Sequence, residues 1–516
     1  MNIEELSIDE ILSAFNEGKF TSKELVQKSI DVYEADKSSP TPLNAFLEMY
    51  DDALDRAEKA DELRLEALKA DGGKAGKAIE KLMKEKPLLG IPFAVKDNIS
   101  VKGKRLTCAS KILDGYVAPY NATVIQRLLD AGAIPLGRCN QDEFAMGSST
   151  EYSSYGPTRN PINREYVSGG SSGGSTAAVA ANQAVFGLGT ETGGSVRLPA
   201  SYCGVYGLKT TYGVLSRWGV VAYGSSLDQV GILGRTPRDI ALPLSVMAGA
   251  DFYDDTSVDL SGSDALRSLV AYYDSEIAGL NIAIPKQFLE TKGMDPEVSE
   301  IFTQTQQWFK NKGASLTIVD MPILEASIAS YYVIALSEAA SNLSRFDGIR
   351  YGDRKDPGEG YDELYIKTRS EGFGPEVKRR IVIGNYVLSE QFSGTTYKKG
   401  MSVRARIQRE VAKLFETYDL ILCPTCPTAA FKLGSKVDDP LEMYLSDLFT
   451  TFVNLARVPS ISVPAGFKSP DSDGNRMPVG MQFVGKMFCE PVILRIAQTW
   501  ENDHPGIGKP LKMQGK

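Results

Sequence analysis

The sequence predicts an α/β fold: one large domain around a mixed, largely buried β-sheet with helices on both faces. Three observations carry that expectation. Short apolar runs alternate with stretches of helical period along most of the chain. The composition, 42% hydrophobic and 24% charged over 516 residues, is that of a globular chain with material for a large core. No Pro/Ser-rich linker divides it, which favours one domain over two or three.

The elements follow in order. Ser7 with Glu10, and Thr21 with Glu24, have the spacing of capping boxes ahead of apolar-periodic runs, and predict two helices. Residues 51–86, rich in Ala, Lys, Glu and Leu, predict a solvated helix pair broken at "DGGKAGK", so that residues 1–86 form a helical N-terminal layer. "LLGIPFAV" (88–95) is a buried strand ending in Lys96-Asp97-Asn98, and "ATVIQRLLDAGAIPLG" (122–137) reads as helix, Gly132 stop, strand. "QAVFGLG" (183–189) is a strand running into a Gly-rich turn. Further strands are expected at 280–285, 314–320, 418–424, 459–467 and 479–485, with helices in "PEVSEIFTQTQQWFKNKG" and "SVRARIQREVAKLFETY". Residues 325–400 read as an inserted helical region.

Bulk properties exclude several functions. Lys+Arg 57 against Asp+Glu 65 gives a net charge of −8, which is no footprint for nucleic acid. No apolar run has the length to span a bilayer, and "MNIEELSIDEIL" lacks the marks of a secretory or transit peptide, so a cytoplasmic chain with no membrane partner is expected. The six cysteines are too sparse for a disulfide scaffold. Cys423 and Cys426 form C-x-x-C, but zinc would need two more ligands, so no metal site is expected; two small residues in a Pro-punctuated loop are favoured over a redox pair.

The chemistry concentrates in two glycine-rich turns. "SGGSSGGS" (168–175) resembles a flexible linker in composition, but it runs into Ala-rich "STAAVAANQ", which reads as a helix start. It admits a phosphate loop, though without the Lys-Ser/Thr ending, and a nucleophile elbow centred on Ser171 or Ser172. "GLGTETGGSVRLPA" (187–200) repeats the design, and its consecutive N–H groups suit an anion-binding nest ahead of Ser195. A serine nucleophile needs a base, and the chain has a single histidine, His504, in a polar, Pro-flanked tail. Lys96 is the alternative. A lysine that leaves from buried backbone loses basicity, and a neutral amine accepts a proton.

These residues resemble the amidase signature family. "GGSSGGS", "GTETGGSVR" and Lys96 in "AVKDN" together carry the resemblance, which extends over about residues 3–505. It implies a Ser–Ser–Lys core within 87–240: Ser195 as nucleophile, Ser171 as bridging serine after a typically cis peptide, Lys96 as base, and Ser172 as a neighbour only. It also implies an oxyanion hole from the backbone of Thr192, Gly193, Gly194 and Ser195. Residues 330–352, 373–389 and 439–467 are most similar to one branch of the family, the glutamine-hydrolysing A subunits of aspartyl/glutamyl-tRNA amidotransferases.

That branch implies glutamine as substrate, with the released ammonia passed to a B subunit that holds the tRNA, and a C subunit clasping the two. It implies no cofactor in this chain, with ATP and Mg on the partner subunit. It also implies a glutamine pocket: Arg380 for the carboxylate, Asp447 for the ammonium, and a hydroxyl from Tyr331. Helical spacing favours Arg380 over Arg379, because Val377, Ile381, Gly384 and Leu388 share a stripe with Arg380 at its edge. Competing readings are an ordinary salt bridge for Arg380, an N-cap for Asp447 ahead of "LFTTFVNLA", and packing for Tyr331.

Two departures from the pattern stand near the catalytic turn: Glu191 where Asp is usual, and Leu198 where bacterial A subunits carry Gln. The alternatives that stay open are a stand-alone amidase acting on a small aliphatic or aryl amide, an idle scaffold, and a hydrolase triad using His504.

Overall fold

The computed structural model describes residues 2–72, 76–260, 277–389, 393–470, 474 and 476–507. Its centre is one 11-stranded mixed sheet: β1 (Phe46–Met49), β2 (Pro92–Lys96), β3 (Ile134–Cys139), β4 (Phe186–Glu191), β5 (Tyr206–Lys209), β6 (Gln229–Gly234), β7 (Asn281–Pro285), β8 (Ser315–Val319), β9 (Leu420–Pro424), β10 (Ser460–Phe467) and β11 (Pro478–Gly485). The spatial order is β1-β3-β2-β4-β6-β5-β10-β11-β9-β7-β8.

Side chains alternate across the pleat and enter different cores. Phe93, Val95, Phe186, Leu188, Leu420, Leu422 and Phe483 join one cluster. Ala94 enters a second, Leu233 a third, and Ile421, Cys423 and Val484 a fourth. Both faces are therefore covered, which is why the strands read as continuous apolar runs.

Both capping boxes form: the Ser7 and Thr21 side chains accept from the N–H groups of Glu10 and Glu24, whose carboxylates return to the cap N–H. The pair at 51–86 is present as helices Ala53–Ala70 and Lys77–Glu85; residues 73–75 of the expected break lie outside the described residues. The N-terminal layer is not wholly helical, however, because Phe46–Met49 adds an edge strand antiparallel to β3. β5 and β6 are likewise absent from the expected strands. "YGLK" and "QVGILG" are short and Gly-bearing, and glycine lowers strand propensity. The glycines serve close approach: a Cβ on Gly207 would stand 2.6 Å from Ala200 Cβ, in the helix packed on this part of the sheet.

The insertion at 325–400 is helical, with helices Ser327–Asn342, Tyr361–Gly372 and Pro375–Leu388; residues 390–392 lie outside the described residues. Among the described residues one helical stretch, Pro322–Arg345, is long and apolar enough by composition to cross a membrane. It is a core helix, with Tyr331, Ile334, Ala335 and Ala339 buried.

Candidate active site

β2 runs parallel to both β3 and β4, so the C-terminal ends of all three strands lie at one edge of the sheet. Ligands in open α/β sheets bind beyond that edge. Lys96 ends β2, Asn140–Glu143 follow β3, and the 191–195 turn follows β4.

Lys96 is fully buried. Its Nζ lies 2.8 Å from Ser171 Oγ, 2.9 Å from Ser172 Oγ and 3.1 Å from the Thr190 carbonyl. Burial pulls its pKa from 10.5 to about 7, against the opposing pull of Asp142 and Asp228. The Gly170–Ser171 peptide is cis, as the family pattern implies. Ser172 is more than a neighbour: besides meeting Lys96 it donates to the Thr190 carbonyl at 3.1 Å, fixing the amine from the other side.

The 168–175 stretch is no flexible linker. Gly173–Ala180 is a helix with every residue buried, and a Cβ on Gly174 would stand 2.3 Å from the Asn140 carbonyl. The glycines let the helix start press on the backbone after β3.

Ser195 is the most open of the three, at 9% exposure, and Ser172 N–H donates to its carbonyl at 3.1 Å. Among the described residues its hydroxyl makes no hydrogen bond, so the Lys96–Ser171 link is formed and the Ser171–Ser195 link is not. Among the described residues the backbone N–H groups of Thr192, Gly193, Gly194 and Ser195 likewise donate to no protein acceptor, leaving four adjacent donors for an anion.

Glu191 braces this turn. One carboxylate oxygen accepts from Val196 N–H at 3.0 Å and Arg197 N–H at 3.1 Å, and the other takes the Arg197 Nε–H at 2.9 Å and a second guanidinium N–H. The longer side chain is thus fully satisfied across the loop. Leu198 is buried against Gly169, where a Cβ would stand 2.8 Å from Leu198 Cδ2, and so packs rather than faces the site.

The predicted pocket residues converge from outside the sheet. Tyr331 donates to or accepts from Thr192 Oγ1 at 2.7 Å, and its ring lies over Gly193, where a Cβ would be 2.5 Å from Tyr331 Cζ. Arg380 is buried; Nε donates to Glu376 at 2.8 Å, Nη1 to the Tyr223 hydroxyl at 3.1 Å, and Nη2 to the Gly147 carbonyl at 2.6 Å. The salt-bridge reading holds for one edge of the guanidinium, and the rest of the fork keeps spare N–H groups. Arg379 is turned away, with its side chain 40% exposed. The helical stripe differs in one position: Val387 is buried and Leu388 exposed.

Asp447 is not an N-cap; its carboxylate accepts from Ser148 Oγ at 2.7 Å and the Tyr332 hydroxyl at 3.1 Å. Its Oδ1 lies 3.3 Å from where a Gly194 Cβ would stand, so it faces the oxyanion turn. Burial raises its pKa to about 6.

Sequence reasoning missed Asp142, Ser148, Tyr223, Tyr332 and Glu376. A signal for Asp142 existed: a polar run directly after a buried strand, as at Lys96. His504 is elsewhere; its ring stacks on Trp500 at 3.9 Å and its Nδ1 meets the Trp500 carbonyl. Cys423 and Cys426 are both buried free thiols.

A buried lysine amine held by two serines, with a turn of free N–H groups at the end of the neighbouring strand, fits an amide-cleaving enzyme class, and the chain belongs to the amidase family, whose model matches residues 24–494. The chain is 57% identical over 502 residues to the A subunit of the glutamyl-tRNA(Gln) amidotransferase of Treponema denticola, covering 97% of this chain and 100% of that one. It is 47% identical to the corresponding protein of Methanosarcina acetivorans, with 94% of each covered. Among solved structures it is similar to the A subunit of the glutamyl-tRNA(Gln) amidotransferase of Thermotoga maritima (TM-score 0.78, 37% identity, 100% and 99% covered) and to the peptide amidase of Stenotrophomonas maltophilia (TM-score 0.77, 26% identity, 97% of each).

Proposed function

We propose that this chain is the glutamine-hydrolysing subunit of a tRNA-dependent amidotransferase. The observation that carries the reading is the buried Lys96 amine held by Ser171 beside four unclaimed N–H donors. Neutral Lys96 takes the Ser171 proton as Ser171 takes that of Ser195, and Ser195 Oγ adds to the side-chain carbonyl of glutamine. The oxyanion is held by the N–H groups of residues 192–195, a term commonly worth ~3 kcal/mol per donor. The relay then returns the proton to the leaving nitrogen, the C–N bond breaks, and ammonia departs. Water attacks the acyl-enzyme by the same route and releases glutamate. Arg380 and Asp447 supply one cation and one anion for a substrate that carries both a carboxylate and an ammonium, with Tyr331 as the roof over the turn.

The near full-length identity to amidotransferase A subunits supports a partner that uses the ammonia. The reading includes a B subunit holding ATP, Mg and the misacylated Glu-tRNA(Gln) or Asp-tRNA(Asn), a C subunit, and a cytoplasmic assembly. The test is glutaminase activity of the chain alone and with its co-purified partners. Glutamine hydrolysis stimulated by the partners, which are identified by mass spectrometry, is expected. Brisk cleavage of aryl or aliphatic amides with poor turnover of glutamine would mark a stand-alone amidase instead.

A further inference from the structure

We propose that Glu143 is a positioning residue for carboxylate recognition, setting the place of the Arg380 fork through the first turn of the Pro375–Leu388 helix. The inference rests on the glutamine reading above. Glu143 follows β3 and is 1% exposed. One carboxylate oxygen accepts the Gly374 N–H at 2.8 Å, and the other accepts the Ser110 hydroxyl. Gly374 is the residue that caps the helix, and its side chain position is filled: a Cβ there would stand 2.3 Å from Glu143 Oε2. At φ −71 and ψ 169 any residue fits the backbone, so glycine is required for room and not for conformation.

The carboxylate is thus pressed on the helix end whose unpaired N–H groups and dipole favour an anion. Six residues further along, the same helix presents Arg380, and Arg380 Nη2 donates to the carbonyl of Gly147 at 2.6 Å. The short segment 143–147 therefore grips the helix twice, at its start through a side chain and at the fork through the backbone. The adjacent acid serves the other half of the site. Asp142 accepts Thr150 N–H at 2.8 Å, and its Oδ2 stands 2.1 Å from where a Gly170 Cβ would lie, directly before Ser171. Consecutive acids thus brace the catalytic loop and the recognition helix separately.

The test compares kcat/KM for glutamine and for butyramide, the same amide without carboxylate and ammonium, on the chain with its co-purified partners. E143A should lower the glutamine-to-butyramide ratio by about tenfold, the loss of one charged hydrogen bond, mainly through KM. E143Q, which keeps an acceptor for Gly374 N–H and offers an amide to Ser110, should restore most of the ratio. G374A, which displaces the carboxylate without touching it chemically, should repeat the E143A result. An unchanged ratio in E143A and G374A, or an equal loss on both amides, overturns the proposal. A wild-type enzyme with no preference for glutamine over butyramide overturns the glutamine reading itself, and with it this one.

Discussion

The catalytic half of the site and its recognition half are made of different materials. Lys96, Ser171 and Ser195 hang from the ends of the interior strands β2 and β4 and from a helix start, where water is withheld; burial is the largest influence on Lys96. Tyr331, Arg380 and Asp447 come from helices and turns outside the sheet. There each charge is held by several polar neighbours yet keeps an unclaimed donor or acceptor: Arg380 by Glu376, Tyr223 and Gly147, Asp447 by Ser148 and Tyr332. In the proposed mechanism the sheet supplies the amide-cleaving centre and the helices supply the choice of substrate. Damage to the two halves should therefore be separable.

The largest expected break is Lys96→Ala, which removes the base and should lower turnover of every amide by about 10³-fold with folding intact by circular dichroism. Lys96→Arg should fare no better, because a guanidinium stays protonated. Retained activity in either variant would remove the relay. Next is pH. The amine must be neutral, so activity is present above its pKa and falls as pH drops through about 7. The limb set by Lys96 should lose about tenfold per unit on both amides, with a further loss for glutamine alone as Asp447 protonates below about 6. The absence of any limb near 7 with butyramide would take the titrating amine out of the chemistry.

Smaller and selective are Arg380→Ala and Asp447→Asn, which should each raise KM for glutamine by about 10–100-fold while butyramide is spared. Equal losses on both amides would erase the division between the halves. Smallest is His504→Ala: activity unchanged, and stability lower by about 1 kcal/mol in urea unfolding from the lost Trp500 stack. A loss of turnover there would bring an imidazole back into the chemistry.

The same division decides how much was legible in the sequence. Lys96 ends an apolar run and Ser171 and Ser195 lie in Gly-rich turns ahead of helices, so local pattern marked the places, while the division of roles among them came from the resemblance to the family. Arg380 came from the resemblance, and its helix stripe served only to favour it over Arg379. Ser148, Tyr223 and Tyr332 were not legible, because their roles exist only through partners far away in the chain: Ser148 reaches Asp447 across 299 residues and Tyr223 reaches Arg380 across 157. Nothing local to a serine in a loop announces such a partner. β2–β4 and β7–β11 were legible as apolar runs, whereas β1 went unread inside the expected helical layer and β5 and β6 were hidden by their glycines, which the packed helices require.

The strands made last occupy an interior place: β9, β10 and β11 sit between β5 and β7. During synthesis on the ribosome, β1–β6 and β7–β8 emerge as two fragments with the flanks of β5 and β7 bare until residues 420–485 arrive to bridge them. Bare strand flanks recruit other chains. A chain stopped before residue 420 would lack the three strands that cover both flanks, so the late arrival of β9–β11 is what joins the two parts of the sheet.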